Sequence, residues 1–253
     1  MVMTKVKKVL VVVLPLIAWL LIWELGNSII DNTLFFTGVV PTLKALTALI
    51  VTKSFWLTVL SSMLRIASGF VIGVAVGILL AIISSKSEFL CSFISQGISV
   101  IKATPVASII IILWIFVGRP RAASAIALFM VAPIIWQNLV DGFKSIDKGL
   151  IEVTDIFELK GFKRFRLLVF PTLVRYFVPA VLTSVGLAWK SGIAAEIITV
   201  AENSIGAQIK NNKDTFDSDY MLAWTLVVVI VSIIFEVAIK FSVRRFNRHE
   251  HKN

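Results

Sequence analysis

Three ionisable side chains inside long apolar runs are the residues of this sequence with the clearest capacity for chemistry. Arg65, Lys190 and Glu196 each interrupt a stretch that is otherwise almost free of charge. If such a stretch crosses a bilayer, an unpaired charge at its centre costs about 2.5 kcal/mol or more, so each group must face a partner or a water-filled cavity. The first interpretation is a structural ion pair, such as Lys190 with Glu196. The second is a polar lining that meets a charged solute.

Groups suited to catalysis are scarce. Both histidines, His249 and His251, lie in the polar C-terminal tail, and Cys91 is the single cysteine, so neither a histidine-based site nor a disulfide framework is available. The sequence has no Gly-x4-Gly-Lys-Ser/Thr phosphate loop, so ATP is not hydrolysed here by that route. The carboxylates within apolar runs are scattered rather than paired. A membrane enzyme is therefore disfavoured, since it needs a convergent polar cluster.

The composition indicates an integral membrane protein. Hydrophobic residues make up 58% of the 253 residues, charged residues only 16%, and the mean hydropathy is +0.92. Soluble domains average about 45–50% apolar and about 25% charged residues. The same values exclude a disordered chain. The net charge of +10 does not require nucleic acid, because basic residues collect on the cytoplasmic side of membrane proteins.

Six runs are long enough to span a bilayer, for which about 20 apolar residues are needed. They cover residues 9–25, 55–85, 93–118, 122–140, 173–200 and 220–241. We interpret the first run as a retained helix rather than a cleaved signal peptide, since no small-x-small cleavage site follows it. Within the second run Gly69, Gly73 and Gly77 recur every four residues, which predicts one helix face that a neighbouring backbone approaches closely.

The basic residues predict that both termini are cytoplasmic. With this orientation 17 of the 25 Lys and Arg residues lie inside, 6 lie outside and 2 lie within spans. The pair Arg119 and Arg121, in a short external turn, is the exception. The segment 141–168 is then a cytoplasmic loop with six basic and five acidic residues. Its apolar residues recur near a helical period, which predicts a short amphipathic helix on the bilayer surface or in a groove of a partner.

This loop resembles the hallmark of ABC importer permease subunits, of the branch that handles sulfonates, taurine and nitrate. The family pattern is E-A-A, three residues, G, nine residues, I-x-L-P. Glu152-Val153-Thr154 takes the first place and Leu168-Val169-Phe170-Pro171 the last, with 19 residues from Glu152 to Pro171. Two departures stand out: Val-Thr replaces Ala-Ala, and Glu158 occupies the glycine position, with Gly161 three residues later. The turn is either shifted to Gly161 or made without a glycine.

Other stretches extend the resemblance over residues 38–245. Residues 60–70, with Arg65 and Gly69, are similar to the family's Ser-Leu-x-Arg-x-x-x-Gly-Phe stretch, and 102–107 and 113–118 to its Arg-x-x-Pro-x-x-Ala and Leu-Trp-Phe-Gly stretches. Ala188-Trp189 and Ala195-Glu196 also match. The resemblance implies an all-α polytopic protein with about six transmembrane helices and the type I ABC importer permease fold. We expect residues 1–37 to comprise an N-terminal tail, the first transmembrane helix and the start of an outer loop. Residues 38–245 are then the transmembrane domain with a coupling loop at 141–171, and 246–253 are a cytoplasmic tail.

The resemblance also implies how the subunit works. Two permease copies, here a homodimer, enclose a path in the plasma membrane of a prokaryote, and an extracellular or periplasmic binding protein delivers a small anion. A cytoplasmic ATPase subunit holds ATP and Mg, while this chain carries no cofactor and contacts lipid but no nucleic acid. The expected coupling residues are Glu152, Val153, Thr154, Phe157, Glu158, Gly161 and Pro171, and the path candidates are Lys190, Glu196 and Arg65. The rival interpretation is an ATP-independent secondary transporter or channel.

Overall fold

The computed structural model describes residues 2–30 and 36–250, and every regular element in these ranges is helical. The helices are α1 Val2–Ile30, α2 Val39–Ile50, α3 Lys53–Ser84, α4 Glu88–Ala103, α5 Val106–Val117, α6 Arg119–Lys144, α7 Lys148–Ile156, α8 Phe162–Arg164, α9 Phe170–Thr199, α10 Ile205–Asp214 and α11 Ser218–Glu250. A π turn, Phe165–Val169, joins α8 to α9. The predicted all-α polytopic class is confirmed.

Five helical stretches are long and apolar enough to cross a membrane: they lie in α1, α3, α6, the α8–α9 stretch and α11. A sixth crossing follows from helix direction. Gly69 lies against Ser124 and Gly77 against Ile135, so α3 and α6 run the same way through the bundle. The chain between them must therefore return across it, and only α4 and α5 are available. These two helices together make the sixth span.

The run at 93–118, predicted to span the bilayer, is not one continuous helix. The helix axis bends by 105° between α4 and α5, at Thr104 and Pro105. Proline has no amide hydrogen for the helix ladder, and its ring disfavours helical backbone in the preceding residue. Thr104 is accordingly extended, with ψ of 132°. The apolar run crosses the bundle as two helices with an opened backbone between them.

Helix α6 lies at the centre of the bundle and packs most extensively against α3 and α9. The glycine face of α3 makes this packing close. Gly69, Gly73 and Gly77 are buried, and an added Cβ at Gly69 would lie 2.1 Å from the carbonyl oxygen of Ser124. The predicted close approach is confirmed, and the neighbour is α6 of the same chain.

The outer helices show apolar surface, as expected of a protein in lipid. The described side chains of α1 in its spanning part are unburied in the single chain, and α11 exposes Val229, Ile233 and Val237. The end of α1 is tied to α2, where Glu24 Oε2 accepts a hydrogen bond of 3.0 Å from the amide of Val39. Because α2 lacks a side-chain cap at Gly38, the Glu24 carboxylate satisfies one of its free amides.

Candidate functional site

The loop between α6 and α9 forms a compact helical unit at one end of the bundle. Asp147 starts α7, since its Oδ1 accepts a hydrogen bond of 2.8 Å from the amide of Gly149. The helix covers Lys148–Ile156 and lies within the segment 141–168, where a short amphipathic helix was predicted. Thr154 faces inward and is buried, with its hydroxyl bonded to the carbonyl of Ile151 at 2.7 Å.

The opposite side of this unit is an exposed apolar surface. Leu150, Val153, Ile156 and Phe157 recur at helical spacing and are 49%, 45%, 78% and 70% exposed, respectively. Phe162, just beyond the turn, is 74% exposed. We call these five residues the loop face. An apolar patch of this kind at the end of a spanning bundle is typical of a surface that binds another protein.

The turn after α7 uses two residues in the left-handed backbone region. Glu158 has φ of 54° and Gly161 has φ of 56°. For a residue with a side chain this conformation costs on the order of 1–2 kcal/mol, whereas glycine adopts it readily. Glu158 therefore holds the backbone conformation that the family glycine would favour. The turn is made at both positions, not at one of them.

Hydrogen bonds hold this turn in place. The amide of Leu159 donates to the carbonyl of Thr154 at 2.8 Å. Arg164 donates from Nε to the carbonyl of Leu159 at 3.1 Å, and its guanidinium pairs with the carboxylate of Asp155. Arg164 is thus a basic residue of this loop whose side chain is bonded within the chain. It braces α8 against the end of α7.

The second half of the loop is continuous with a span. Residues Phe162–Thr199 form one uninterrupted helical stretch of 38 residues. Its π turn lies just before Pro171, which has no amide hydrogen to donate to the carbonyl of Leu167, and Phe170 bonds instead to the carbonyl of Phe165. Pro171 therefore lies within the first turn of α9. It does not mark a break between the loop and the span. A force on α8 therefore acts on the span without a break in the helix.

At the opposite end of the bundle, Arg65 and Glu196 form a buried cluster. Arg65 Nη1 donates to Glu196 Oε1 at 2.9 Å, and the Glu196 side chain is fully buried. Glu196 Oε2 accepts 2.8 Å from the hydroxyl of Ser62 and 3.3 Å from the amide of Gly206. Arg65 Nη2 also donates to the carbonyl of Glu202 at 3.3 Å. The cluster joins α3, α9 and the start of α10 and leaves neither carboxylate oxygen unsatisfied.

Sequence reasoning identified Arg65 and Glu196 but not their partnership, and it missed Ser62 and Gly206. Ser62 also accepts a hydrogen bond of 2.9 Å from the amide of Ile205, so it is shared between two elements. Gly206 lies so close that an added Cβ would be 2.4 Å from the Cβ of Glu196. The one signal in the sequence was Ser62 within the stretch that also contains Arg65, one turn away on the same helix.

Lys190 lies apart from this cluster and is exposed in the single chain. It is six residues from Glu196, which places the two about 120° apart around α9, so they do not pair. Lys190 lines a cavity of about 300 Å³ between α9 and α11, together with Thr183, Ser232 and the carboxylate-bearing Glu236. Of the three path candidates, Lys190 alone lies on an exposed face. That face also carries Thr183 and Arg175, so it is more polar than the apolar outer face of α11.

A bundle of membrane-spanning helices, with polar groups on one span and the exposed loop face at one end, defines a multi-pass membrane protein. The comparison with family models makes the class specific. The chain belongs to the family of binding-protein-dependent transport system inner membrane components, whose model matches residues 73–248. This agrees with the family indicated by the loop and glycine motifs.

Several curated relatives are similar at low identity. A putative aliphatic sulfonates transport permease protein of Bacillus subtilis is 21% identical over 67% of this chain and 62% of its own length. The bicarbonate transport system permease protein CmpB of Synechocystis is 27% identical over 71% of this chain and 63% of its own length. The chain thus spans less than two thirds of these two relatives. The corresponding sulfonates permease of Escherichia coli is 26% identical over 91% of this chain and 86% of its own length.

Among solved structures, the MetNI methionine ABC transporter in inward-facing conformations has a similar chain. The TM-score is 0.57 at 18% identity, covering 75% of this chain and 93% of the other. At this identity the similarity concerns the fold. The predicted type I importer permease fold is confirmed.

Proposed function

We propose that this chain forms the translocation path of an ABC importer and couples it to ATP hydrolysis on a separate subunit. In this proposal two copies of the chain enclose the path, and an external binding protein delivers the solute. Family membership and the importer fold support the assignment. Both termini then lie on the cytoplasmic side, as the distribution of basic residues predicts.

The observation that carries the proposal is the exposed loop face, which lies on α7 and reaches Phe162 at the start of the α8–α9 stretch. A bound ATPase would bury Ile156 and Phe157, which are 78% and 70% exposed in the single chain. Glu152, Lys160 and Lys163 are exposed around this face and form no ion pair within the part of the chain that the structure describes. They supply charges for the rim of the contact. Movement of the ATPase would then pull directly on the α8–α9 stretch.

The proposal is tested in vesicles that contain the permease, its ATPase and its binding protein. Phe157→Ala should weaken ATPase binding by about tenfold or more, because a buried aromatic anchor contributes about 2 kcal/mol or more to an interface. ATP-driven uptake should fall accordingly. Phe116→Ala is the matched control, since Phe116 is 80% exposed but lies at the other end of the bundle, in the last turn of α5. ATPase binding is measured by co-purification and uptake with labelled solute.

The same vesicles distinguish the rival function. The importer proposal expects no concentrative uptake with this chain alone, whatever ion gradient is imposed. Uptake driven by an ion gradient without ATPase and ATP would establish a secondary transporter. Normal ATPase binding by the Phe157 variant would show that the loop face is not the docking surface.

For the solute we propose a small anion, with Lys190 in the path. The relatives named above are described as permeases for aliphatic sulfonates and for bicarbonate, and both solutes are anions. Lys190 presents a cation beside Thr183 and Ser232 in the cavity between α9 and α11, whose lining also includes Glu236. An exposed lysine in the middle of a span requires an aqueous surrounding or an anionic partner. A water-filled path that admits anions would meet this requirement.

Lys190→Gln is expected to raise the KM for anion uptake about tenfold or more, because a hydrogen bond to a charged group is worth about 1.5 kcal/mol or more. Lys190→Arg should retain most of the activity. ATPase binding should be unchanged in both variants, as the residue lies far along α9 from the loop. An unaltered KM in Lys190→Gln would remove this residue from the path and leave the importer assignment intact.

A further inference from the structure

A cavity of about 700 Å³ opens at the end of the bundle that carries the loop. It lies where α3 ends, α4 begins and α6 ends. Two lysines, Lys86 and Lys144, contribute to its wall, with Glu88 as the single carboxylate. Hydroxyl groups complete the polar lining, and these belong to Ser84, Ser85, Ser87, Ser92 and Ser95.

Three polar groups of this cavity are available for a ligand, while the Ser85 hydroxyl donates to the carbonyl of Ile82. Lys86 and Lys144 form no ion pair in the part of the chain that the structure describes. Ser84 is 4% exposed, and its oxygen accepts 2.8 Å from the indole nitrogen of Trp136. The hydroxyl proton of Ser84 has no acceptor among the described residues. Two cations and a buried hydroxyl donor on one cavity wall are the partners that an oxyanion requires.

We propose that this cavity binds the phosphate of an anionic phospholipid with a hydroxyl-bearing headgroup. The site lies at the ends of spanning helices, where lipid phosphates are found. On α4, Phe89 and Phe93 are 75% and 69% exposed and stacked with ring centroids 6.5 Å apart, which provides a surface for acyl chains. The carboxylate of Glu88 accepts a headgroup hydroxyl but repels a free dianion. Lipid therefore fits the site better than inorganic phosphate.

Native mass spectrometry of the full chain in detergent tests the proposal, with phosphatidylglycerol, phosphatidylcholine and inorganic phosphate as probes. The wild type should bind phosphatidylglycerol in preference to phosphatidylcholine. The double variant Lys86→Gln/Lys144→Gln should bind phosphatidylglycerol about tenfold more weakly, because each lysine near an anionic headgroup contributes to its attraction. Lys44→Gln/Lys53→Gln, which neutralises two exposed lysines outside the cavity, should bind like the wild type.

The remaining measurements distinguish a lipid from a soluble anion and control for misfolding. Lys86→Arg/Lys144→Arg should restore binding if the charge acts in a folded protein. Equal affinity for both lipids, or unchanged phosphatidylglycerol binding in the glutamine variant, would overturn the site. If inorganic phosphate binds in a lysine-dependent manner and displaces the lipid at equal concentration, the site serves a soluble anion and the lipid assignment fails.

Discussion

Replacing Gly69 with alanine is expected to lower the free energy of unfolding by about 2–3 kcal/mol, the upper range for overpacking a tight interior. The new Cβ would lie 2.1 Å from the carbonyl oxygen of Ser124 and 2.7 Å from its Cα. These are backbone atoms of the central helix and cannot rotate away, so α3 and α6 must separate. Separation would also stretch the bond of 2.6 Å from the Ser124 hydroxyl to the carbonyl of Arg65.

The free energy of unfolding in detergent, from thermal or denaturant-induced unfolding, measures this effect. Gly97→Ala is the matched control, because a Cβ at Gly97 meets no atom within 4 Å. Alanine is also the better helix former, by about 0.5–1 kcal/mol, so the control should keep or slightly raise stability. Similar losses in both variants would show that α3 and α6 do not pack through this glycine.

The glycine face was predictable because its geometry is local. Three glycines at intervals of four residues share a helix face whatever the rest of the chain does. The identity of the neighbour was not predictable, since small faces serve contacts within and between chains equally well. The sequence likewise predicted the span that contains Lys102 and Pro105 but not its bend. Pro133 and Pro179 lie inside helices that continue, so a proline does not by itself break a span.

The coupling loop was also predictable only in part. Its spacing of 19 residues from Glu152 to Pro171 predicted the unit, and the structure places a helix, a turn and a second helix there. The absence of glycine at position 158 left the turn undecided. In the structure the turn is made with a positive φ at Glu158. This conformation is locally unfavourable and is held by the surrounding hydrogen bonds. Such conformations depend on tertiary contacts, here the brace of Arg164 on Asp155.

The Arg65–Glu196 pair lay beyond sequence reasoning for another reason. The two residues are separated by 131 positions, and Lys190 offered a nearer cation. Helical geometry excludes the nearer choice, because six residues place Lys190 on another face of α9. Choosing Arg65 instead required knowing that α3 packs beside the end of α9. The pairing is a consequence of the fold.

Replacing Glu196 with glutamine is expected to cost about 3–5 kcal/mol of stability, the range for removing one partner of a buried ion pair. The amide has one oxygen to accept the bonds that Arg65, Ser62 and the amide of Gly206 now donate. Arg65, whose side chain is only 15% exposed, would lose its counter-charge. The junction of α9 and α10 should loosen, which is measurable as faster hydrogen exchange at residues 204–207 together with a lower midpoint of unfolding.

Asp214→Asn provides the matched control, because it removes two ion pairs at the surface, with Lys210 and Lys213. Lys210 donates 2.6 Å to Asp214, and this bond holds the pKa of that carboxyl below its usual range. Exposed pairs contribute little, so the control should change the midpoint far less than Glu196→Gln. The double variant Arg65→Gln/Glu196→Gln should lose less than the two single variants combined, since neither charge is then left unpaired. Additive losses would show that Arg65 and Glu196 stabilise the bundle independently rather than as a pair.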